Sequence, residues 1–310
     1  MNICLVGYGA IAEKHMEAFG AIDDVCPRWL IGRRMEPSAE FAARWGFEHH
    51  SLDLQDALSD PELDAVAITS PNDLHADQAE AALKAGKHVL VEIPIALNLD
   101  QAERVTRLAR EVDRRLMVAH TMRYFPAIQE VRRRVAEGEL RIRHMVGFFG
   151  LFRRTNTTSA GKPRSWTDDL LWHFGAHMVD VALWTSGHKK AETCNWTFGP
   201  PHPTQGILDI GLAMRLPGGE LFNLALSYNV RQFRWNLGFI GEESTLDFET
   251  GALHDAEGET IVAQQSIVDL REQNREFIES VREGRDPAIT GEAVLPTMRI
   301  LQEAQDGLKS

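Results

Sequence analysis

The first third of the chain alternates short apolar runs with stretches of helical period. Apolar runs at residues 3–6, 28–31, 47–49, 65–69, 88–91 and 116–120 predict six strands. The stretches between them, at residues 10–19, 37–45, 53–58, 75–84 and 98–114, predict helices. Strands that are separated by helices in this way are typical of a parallel sheet with helices on both faces. We therefore predict an α/β fold with a doubly wound parallel sheet over residues 1–121.

The pattern changes over residues 122–310. Apolar and polar positions alternate near residues 143–152, 193–198, 207–216, 221–229, 233–240 and 245–248. Helices are predicted near residues 269–282 and 291–305, where the last helices can pack back on the first domain. This pattern predicts an α+β domain with a large, mainly antiparallel, open-faced sheet. Since helices cover only one face, we expect self-association through the other, with a homodimer as the minimum.

A glycine turn follows the first predicted strand and opens a helix. It consists of Gly7, Tyr8, Gly9, Ala10, Ile11 and Ala12. The first glycine permits a tight turn, the second lets the backbone approach a pyrophosphate, and the alanine keeps the helix close to the sheet. The helix N-terminus then faces the phosphates. We predict a dinucleotide-binding Rossmann domain, the alternative being a glycine turn without a cofactor.

The second predicted strand ends at Gly32, Arg33 and Arg34. An enzyme that prefers NAD usually has an acidic residue near this point, which holds the ribose 2′-hydroxyl. Two arginines instead suit a 2′-phosphate, through charge-assisted hydrogen bonds. The sequence therefore favours NADP as the cofactor, unless both arginines are solvated loop charges.

Other cofactor contacts are expected where the strands end, because ligands of such sheets bind outside the carboxyl ends of the strands. The residues predicted at or next to those ends are Ser70, Pro71, Asn72, His75, Glu92, Ile93, Pro94 and His120. We expect them to lie in one crevice with the glycine turn.

A predicted helix in the second domain concentrates residues suited to proton transfer. Thr167 is a good N-cap, and two aspartates follow it where the helix dipole favours negative charge. His173, His177 and Asp180 are spaced i, i+4 and i+7 on one face of a mostly apolar helix. Imidazole is well suited to move protons near neutral pH. We predict that all three residues are catalytic.

Two other interpretations of this helix remain. The histidines can be core residues that hydrogen-bond to their neighbours, or zinc ligands with a distant third ligand such as His144. The intervening glutamate of the H-E-x-x-H zinc pattern is missing. We therefore predict no metal site.

Composition limits the class of protein. The net charge of -12 argues against a general partner among nucleic acids or anionic membranes. Apolar residues make up 44% of the chain, but no apolar run approaches the length of a membrane span, and we see no signal peptide. Cys4, Cys26 and Cys194 are scattered, as is typical of free thiols in a reducing compartment. We predict a cytoplasmic globular protein.

One segment departs from the overall acidity. Between Arg123 and Arg164, nine arginines and one lysine stand against three glutamates. This local positive excess predicts a small anionic substrate, because guanidinium groups pair bidentately with carboxylates. The candidate substrate-binding arginines are Arg123, Arg153, Arg154 and Arg164, of which we expect two to clamp the substrate. Trp166 either stacks on a flat substrate ring or fills the core.

Several motifs together resemble the glucose–fructose oxidoreductase, inositol dehydrogenase and MocA family over essentially the whole chain. They are G-Y-G-A-I-A, S-P-N-D-L-H and A-G-K-H-V-L-V-E-I-P. The resemblance implies that Glu92, Ile93 and Pro94 lie beside the nicotinamide, although the family usually has a lysine where this chain has Ile93. The segment from His173 to Asp180 resembles the family's D-x-G-x-H-x-x-D motif, with His173 in place of the first aspartate. That resemblance makes His177 the acid/base residue.

The two departures, Ile93 and His173, are features that resemble one subgroup of the family. Three further segments share this resemblance: H-T-M-R-Y-F-P, F-R-R and K-P-R-S-W-T-D-D-L-L-W-H-F-G-A-H. The resemblance implies oxidation of the cyclic hemiacetal of 4-carboxy-2-hydroxymuconate-6-semialdehyde to 2-pyrone-4,6-dicarboxylate, in protocatechuate 4,5-cleavage, with NADP. The substrate is a dicarboxylate, as the arginines predict. The proton of a hemiacetal hydroxyl is easier to remove than that of an ordinary alcohol, so His177 can replace the missing lysine. The alternatives are a dehydrogenase of another carboxylated or sugar-like substrate and a non-catalytic NADP-binding sensor.

Overall fold

The structure is a computed structural model that describes residues 1–155, 169–203 and 206–308. The chain divides into two compact units. The first comprises Met1–Ala119 and Val268–Leu295, and the second comprises His120–Ile267 and Pro296–Ser310. The domain boundary after residue 121 stays a prediction.

The first unit contains a six-stranded, all-parallel sheet. In chain order its strands are β1 (Asn2–Val6), β2 (Cys26–Ile31), β3 (His49–Ser51), β4 (Ala65–Ile68), β5 (His88–Val91) and β6 (Leu116–Val118), and their order in the sheet is β3-β2-β1-β4-β5-β6. The strand order reverses between β1 and β4, which is the position where dinucleotides bind to sheets of this order. The predicted doubly wound sheet is confirmed. Only β3 lies elsewhere than predicted, two residues later in the chain.

Helices connect these strands and cover the sheet. They are α1 (Ala10–Phe19), α2 (Met35–Trp45), α3 (Leu54–Leu58), α4 (His75–Lys84) and α5 (Leu99–Glu111). Side-chain caps fix the starts of two of them: Asp53 accepts a hydrogen bond from the Gln55 amide, and Asn98 accepts one from the Gln101 amide. A later helix, α8 (Arg271–Glu283), packs against α1 and completes the unit.

The second unit contains an eight-stranded sheet. Its strands are β7 (Ile142–Phe152), β8 (Thr193–Phe198), β9 (Asp209–Arg215), β10 (Leu221–Ser227), β11 (Asn229–Gly241), β12 (Thr245–Glu249), β13 (Ala252–Asp255) and β14 (Thr260–Val262). Their order is β14-β13-β12-β11-β7-β10-β9-β8, and every neighbouring pair is antiparallel except β7 and β10. The predicted large, mainly antiparallel sheet is confirmed. The two short strands β13 and β14 are additional to the prediction.

Helix α7 of the second unit lies directly on this sheet. The described helices of this unit are α6 (Pro126–Ala136), α7 (Ala176–Ser186), which follows a turn of π-helix at Leu171–Gly175, and the part of α9 (Gly291–Gly307) from Pro296 onward. A side chain at Gly147 in β7 would begin only 2.8 Å from the Met178 methyl group. Trp235 of β11 donates a hydrogen bond to the Met178 sulfur at 3.2 Å. These close contacts fix α7, which carries His177 and Asp180, against the sheet.

None of the helices in the described part of the chain is long and apolar enough to cross a membrane.

Candidate functional site

The glycine turn has the local geometry that the sequence predicts. Gly7 has a φ of +108°, and a Cβ there would lie 2.8 Å from the carbonyl oxygen of Thr69. Only glycine fits this position without strain. A Cβ at Gly9 would meet nothing within 4 Å, so the backbone before α1 borders open space. The open turn and the free N–H groups that begin α1 fit the phosphates of a dinucleotide.

The end of β2 cannot hold an acidic side chain at residue 32. A Cβ on Gly32 would lie 1.9 Å from the Ser38 hydroxyl oxygen and 2.7 Å from the Tyr8 ring. Arg33 and Arg34 follow it and are exposed at the start of α2. Neither guanidinium has an ion-pair partner among residues 1–155, 169–203 and 206–308. Their charges are therefore available to an anion, as a 2′-phosphate requires.

The turns after β4 and β5 are joined by His75. Its Nδ1 lies 2.8 Å from the carbonyl oxygen of Pro94, and its Nε2 lies 2.9 Å from that of Ser70. The ring is 2% exposed, so it connects the two segments from within the fold. The predicted cofactor residues Ser70, Pro71, Asn72, Glu92, Ile93 and Pro94 all lie in these two segments of the first unit. Their contact with a cofactor stays a prediction.

Glu92 has a buried partner that the sequence analysis did not identify. His15 of α1 approaches Oε1 of Glu92 through Nε2 at 2.8 Å and Oδ1 of Asn274 through Nδ1 at 3.1 Å. His15 follows the glycine turn by one helical turn, and it is a polar residue on a buried helix face. A polar residue on the apolar face of this helix was the one sign that His15 needs a buried partner. Its partners lie 77 and 259 residues away, and no local pattern indicates them.

In the second unit, the helical segment with the predicted catalytic residues is described from Asp169 onward. The predicted N-cap, Thr167, lies outside the described residues. Asp169 caps the described segment, because its Oδ1 accepts hydrogen bonds from the backbone N–H groups of Leu171 and Trp172. The π-helical turn that follows carries His173. Such turns often occur at functional sites.

His177 lies among aromatic rings on the buried side of α7. The centroid of its ring is 6.0 Å from that of His173, 6.2 Å from that of His120 and 5.7 Å from that of Trp235. Burial lowers the pKa of His177 well below its usual range, and the neighbouring His173 and His120 lower it further. The imidazole is therefore neutral at pH 7 and able to accept a proton. Its Nδ1 is buried and has no hydrogen-bond partner among the described residues.

Asp180 does not hydrogen-bond to His177 but forms a buried ion pair with Arg123. Nε and Nη2 of Arg123 donate to the two carboxylate oxygens at 2.8 and 2.6 Å. Thr297 donates to Oδ1 at 3.3 Å, and Nδ1 of His120 lies 3.4 Å from Oδ2. Burial raises the pKa of Asp180, but the charges of His120 and Arg123 and these hydrogen bonds outweigh burial and hold the pKa below its usual range.

These contacts change the interpretation of three predicted residues. Arg123, a predicted substrate clamp, uses two of its nitrogens to neutralise Asp180. Asp180 is 1% exposed and bound to that arginine, so its charge is neutralised within the fold, and its part in proton transfer stays a prediction. His120, predicted at the cofactor, belongs to the second unit and lies between His177 and Asp180.

Two other predicted substrate arginines lie together at the end of β7. Arg153 donates to the Tyr228 hydroxyl at 3.1 Å, and Arg154 donates to the Tyr228 carbonyl oxygen at 2.9 Å. The guanidinium carbon of Arg154 is 4.7 Å from the centre of the Phe152 ring, and that of Arg231 is 4.6 Å from the same centre. The sequence analysis did not identify Arg231, because it lies outside the arginine-rich segment. The remaining predicted substrate residues, Arg164 and Trp166, lie outside the described residues.

The candidate zinc ligands do not form a cluster. His144 lies on β7 and hydrogen-bonds through Nε2 to the Asn223 side chain at 2.6 Å. Within residues 1–155, 169–203 and 206–308, no group of three or more histidine, cysteine or acidic side chains is arranged to hold a metal ion.

Comparisons with known proteins identify the family. Residues 1–120 match the model of an oxidoreductase family with an NAD-binding Rossmann fold, GFO_IDH_MocA, and residues 126–266 match a model of the C-terminal part of bacterial oxidoreductases. The chain is 36% identical to 4-carboxy-2-hydroxymuconate-6-semialdehyde dehydrogenase of Sphingobium sp., over 98% of each chain. The chain belongs to the glucose–fructose oxidoreductase, inositol dehydrogenase and MocA family. The resemblance to this family, which the sequence motifs indicate, is thereby confirmed.

Other proteins that this chain resembles differ in the substrates that their names give. UDP-N-acetylglucosamine 3-dehydrogenase of Acidithiobacillus ferrooxidans is 28% identical, over 82% of this chain and 76% of the relative. The solved structure of levoglucosan dehydrogenase with NADH and levoglucosan has a TM-score of 0.87 at 19% identity, covering 100% of this chain and 98% of that one. At 19% identity, the likeness to levoglucosan dehydrogenase establishes the fold alone.

The Asp180 ion pair leads to a stability prediction. Asp180→Asn keeps the shape of the side chain but leaves the Arg123 charge buried without its carboxylate. We expect the free energy of unfolding to fall by about 3–5 kcal/mol, as measured by urea denaturation. The matched control is Asp180→Leu combined with Arg123→Met, which removes both charges and should cost less than Asp180→Asn alone. A double variant that is less stable than Asp180→Asn would contradict this explanation.

Proposed function

We propose that this oxidoreductase converts the cyclic hemiacetal of 4-carboxy-2-hydroxymuconate-6-semialdehyde to 2-pyrone-4,6-dicarboxylate, with NADP as the cofactor. The choice of substrate is supported by the 36% identity, over 98% of both chains, to a dehydrogenase of that name. The observation that carries the chemistry is the neutral, buried imidazole of His177. The reaction needs a base that is unprotonated at pH 7, and the environment of His177 favours that state.

His177 acts as the base in the proposed reaction. When bound, NADP supplies the hydride acceptor. The hemiacetal hydroxyl gives its proton to His177 while the C–H bond breaks with its electron pair, and the carbon–oxygen bond becomes the carbonyl of the pyrone. A positioned base contributes about 10²–10⁴-fold to such rates. His120 and His173 border His177 and help to keep it neutral until the proton is transferred.

Substrate binding is assigned to the arginine cluster at the end of β7. The proposed substrate is a flat dicarboxylate, and planar guanidinium groups bind carboxylates with two parallel hydrogen bonds. Arg154 and Arg231 lie against one phenylalanine ring and have no carboxylate partner in the described part of the chain. We therefore add Arg231 to Arg153 and Arg154 as a substrate-binding residue.

The assignment of NADP is supported by the end of β2. Residue 32 has no room for the acidic side chain that NAD-preferring enzymes use, and it is followed by two arginines that have no ion-pair partner in the described part of the chain. The solved levoglucosan dehydrogenase is in complex with NADH. A preference for NADP in this chain therefore needs a direct test.

The decisive experiment mixes the protein with enzymatically generated 4-carboxy-2-hydroxymuconate-6-semialdehyde and either NADP or NAD, and follows the absorbance of the reduced nicotinamide. We expect reduction with NADP and a pyrone dicarboxylate product. Arg33→Ser combined with Arg34→Ser should raise KM for NADP by about tenfold or more, since both charge-assisted contacts are lost, and should change KM for NAD little.

The control for this experiment is Arg107→Ser, which removes an arginine that is 67% exposed elsewhere in the first unit. An equal rise in KM for both cofactors would argue against the 2′-phosphate assignment. Failure to oxidise the semialdehyde, with oxidation of a sugar or another carboxylated alcohol instead, would overturn the substrate. Cofactor binding without turnover of any hydroxy substrate would indicate a sensor.

The second prediction concerns His177. His177→Asn should lower kcat by about 10²–10⁴-fold, because the proton acceptor is lost, and should leave cofactor affinity nearly unchanged. His49→Asn, on the exposed edge strand β3, is the control and should retain full activity. Because the pKa of His177 is lowered, its accepting form persists as the pH falls below 6.5, so kcat/KM should decline only at lower pH. Full turnover by His177→Asn would exclude its role as base.

We also propose that a second copy of this chain covers the outer face of the eight-stranded sheet. On adjacent strands, Leu221 and Ile240 both pair with His144, and Val146 lies two residues along the same face. These three apolar side chains are 41%, 39% and 44% exposed. A row of exposed apolar residues at the centre of a large sheet is typical of an interface.

Sedimentation should therefore give twice the mass of 34.8 kDa that one chain has. Val146→Arg places a charge at the centre of the row and should yield monomers with an unchanged circular dichroism spectrum. The control is Leu52→Arg, at a residue that is 46% exposed in the first unit, and this variant should stay dimeric. A wild-type protein that sediments as a monomer would rule out this interface.

A further inference from the structure

The buried group formed by His15, Glu92 and Asn274 has no role in the reaction proposed above. It lies wholly within the first unit, where α1, the end of β5 and α8 meet. His15 is 1% exposed and Asn274 is fully buried, whereas the Glu92 side chain is 14% exposed. The carboxylate is therefore the only one of the three groups that reaches the surface of the unit.

The amide of Asn274 determines which nitrogen of His15 carries a hydrogen. Nδ2 of Asn274 donates to the backbone carbonyl oxygen of His15 at 3.3 Å, which turns Oδ1 of the same amide toward the ring. Oδ1 can only accept, so Nδ1 of His15, 3.1 Å away, must donate to it. In a neutral ring the other nitrogen, Nε2, then has no hydrogen.

The contact between His15 and Glu92 must therefore contain a proton of its own. Nε2 lies 2.8 Å from Oε1 of Glu92, and neither an unprotonated nitrogen nor a carboxylate oxygen can donate to the other. Either the ring is an imidazolium facing a carboxylate, or the carboxylic acid donates to a neutral ring. Both arrangements contain one proton more than a neutral imidazole with a carboxylate, and both have a net charge of zero.

The position of Glu92 shows what this neutrality affects. Glu92 follows β5, in the half of the sheet formed by β4, β5 and β6. In sheets of this strand order each half binds one nucleotide of the dinucleotide, and the end of β2 marks the half that binds the adenosine ribose. The nicotinamide nucleotide therefore belongs to the half with Glu92. Its ring is positively charged when oxidised and neutral when reduced, so an isolated carboxylate nearby would stabilise the oxidised form.

We propose that His15 is a positioning residue that holds Glu92 and cancels its charge, so that this strand end does not favour the oxidised over the reduced cofactor. The inference rests on the proposed binding of a nicotinamide dinucleotide by the first unit. It requires neither the proposed substrate nor the preference for NADP. Without His15, Glu92 keeps a full negative charge, with the backbone N–H of Ile93 still donating to its Oε2 at 3.3 Å, and the protein retains its oxidised cofactor more tightly than the reduced product.

The test measures Kd for the oxidised and the reduced cofactor, with the NADP pair and the NAD pair in parallel. Its variants are His15→Gln, Glu92→Gln and the two combined. His15→Gln supplies an amide donor but no additional proton, so the pair has a net charge of −1 instead of zero, and the ratio of Kd for the reduced form to Kd for the oxidised form should rise about fourfold or more. Glu92→Gln and the double variant contain no such charge and should keep the wild-type ratio.

A His15→Gln ratio equal to that of the wild type overturns the proposal, as does an equal loss of affinity for both forms, which is the result that a purely structural role would give.

A second measurement needs neither a cofactor nor a variant. Nitrogen and carbon NMR at pH 7.5 should show either both ring nitrogens of His15 protonated or a protonated Glu92 carboxyl group. A neutral ring beside an ionised Glu92 also overturns the proposal. Loss of semialdehyde oxidation with these results intact would refute only the proposed substrate.

Discussion

The second unit depends on the neutralisation of one buried charge, the carboxylate of Asp180. A carboxylate that is 1% exposed is stable only if its loss of hydration is compensated, and Arg123 supplies that compensation with two hydrogen bonds. Because Arg123 follows β6 and Asp180 lies in α7, the pair ties the start of the unit to the helix that carries His177. Thr297 adds a contact from α9. The position of the candidate base thus follows from an electrostatic requirement three residues away.

Burial has opposite consequences for two histidines of this chain. Aromatic rings and other imidazoles surround His177, and burial and the neighbouring His173 and His120 lower its pKa. His15 is also buried but contacts a carboxylate and an amide oxygen, and the hydrogen-bond inventory of these three groups requires an additional proton. The same side chain is thus a proton acceptor in one environment and part of a protonated pair in the other. Its partners, rather than its depth, decide its function.

The loss of the family's usual lysine at position 93 agrees with this distribution of charge. Ile93 is 8% exposed and packs as an apolar residue, so position 93 supplies no cation to the turn after β5. A hemiacetal is a better proton donor than an alcohol and requires less help at its oxygen. A neutral histidine as the only base is therefore chemically consistent with the substrate that we propose.

Local sequence patterns were sufficient for much of the fold. Runs of apolar residues and glycine turns depend on neighbours in the chain, so they predicted the six parallel strands, the glycine turn of residues 7–12 and the mainly antiparallel second sheet. The motifs also indicated the family, because they reflect shared ancestry. The short strands β13 and β14 were missed, because they flank a polar turn that contains a glycine and show no strand-like alternation around it.

The tertiary structure alone decided which charges meet. The spacing of His173, His177 and Asp180 indicates one helical segment, in which His173 lies in the π-helical turn that leads into α7, but spacing says nothing about the groups opposite that segment. The partner of Asp180, Arg123, is 57 residues away, and no spacing in the sequence indicates it. Likewise, no pattern in the sequence joins His15 to Glu92 and Asn274. Hydrogen bonds and ion pairs depend on distances of about 3 Å between residues far apart in the chain, and only the folded backbone sets those distances.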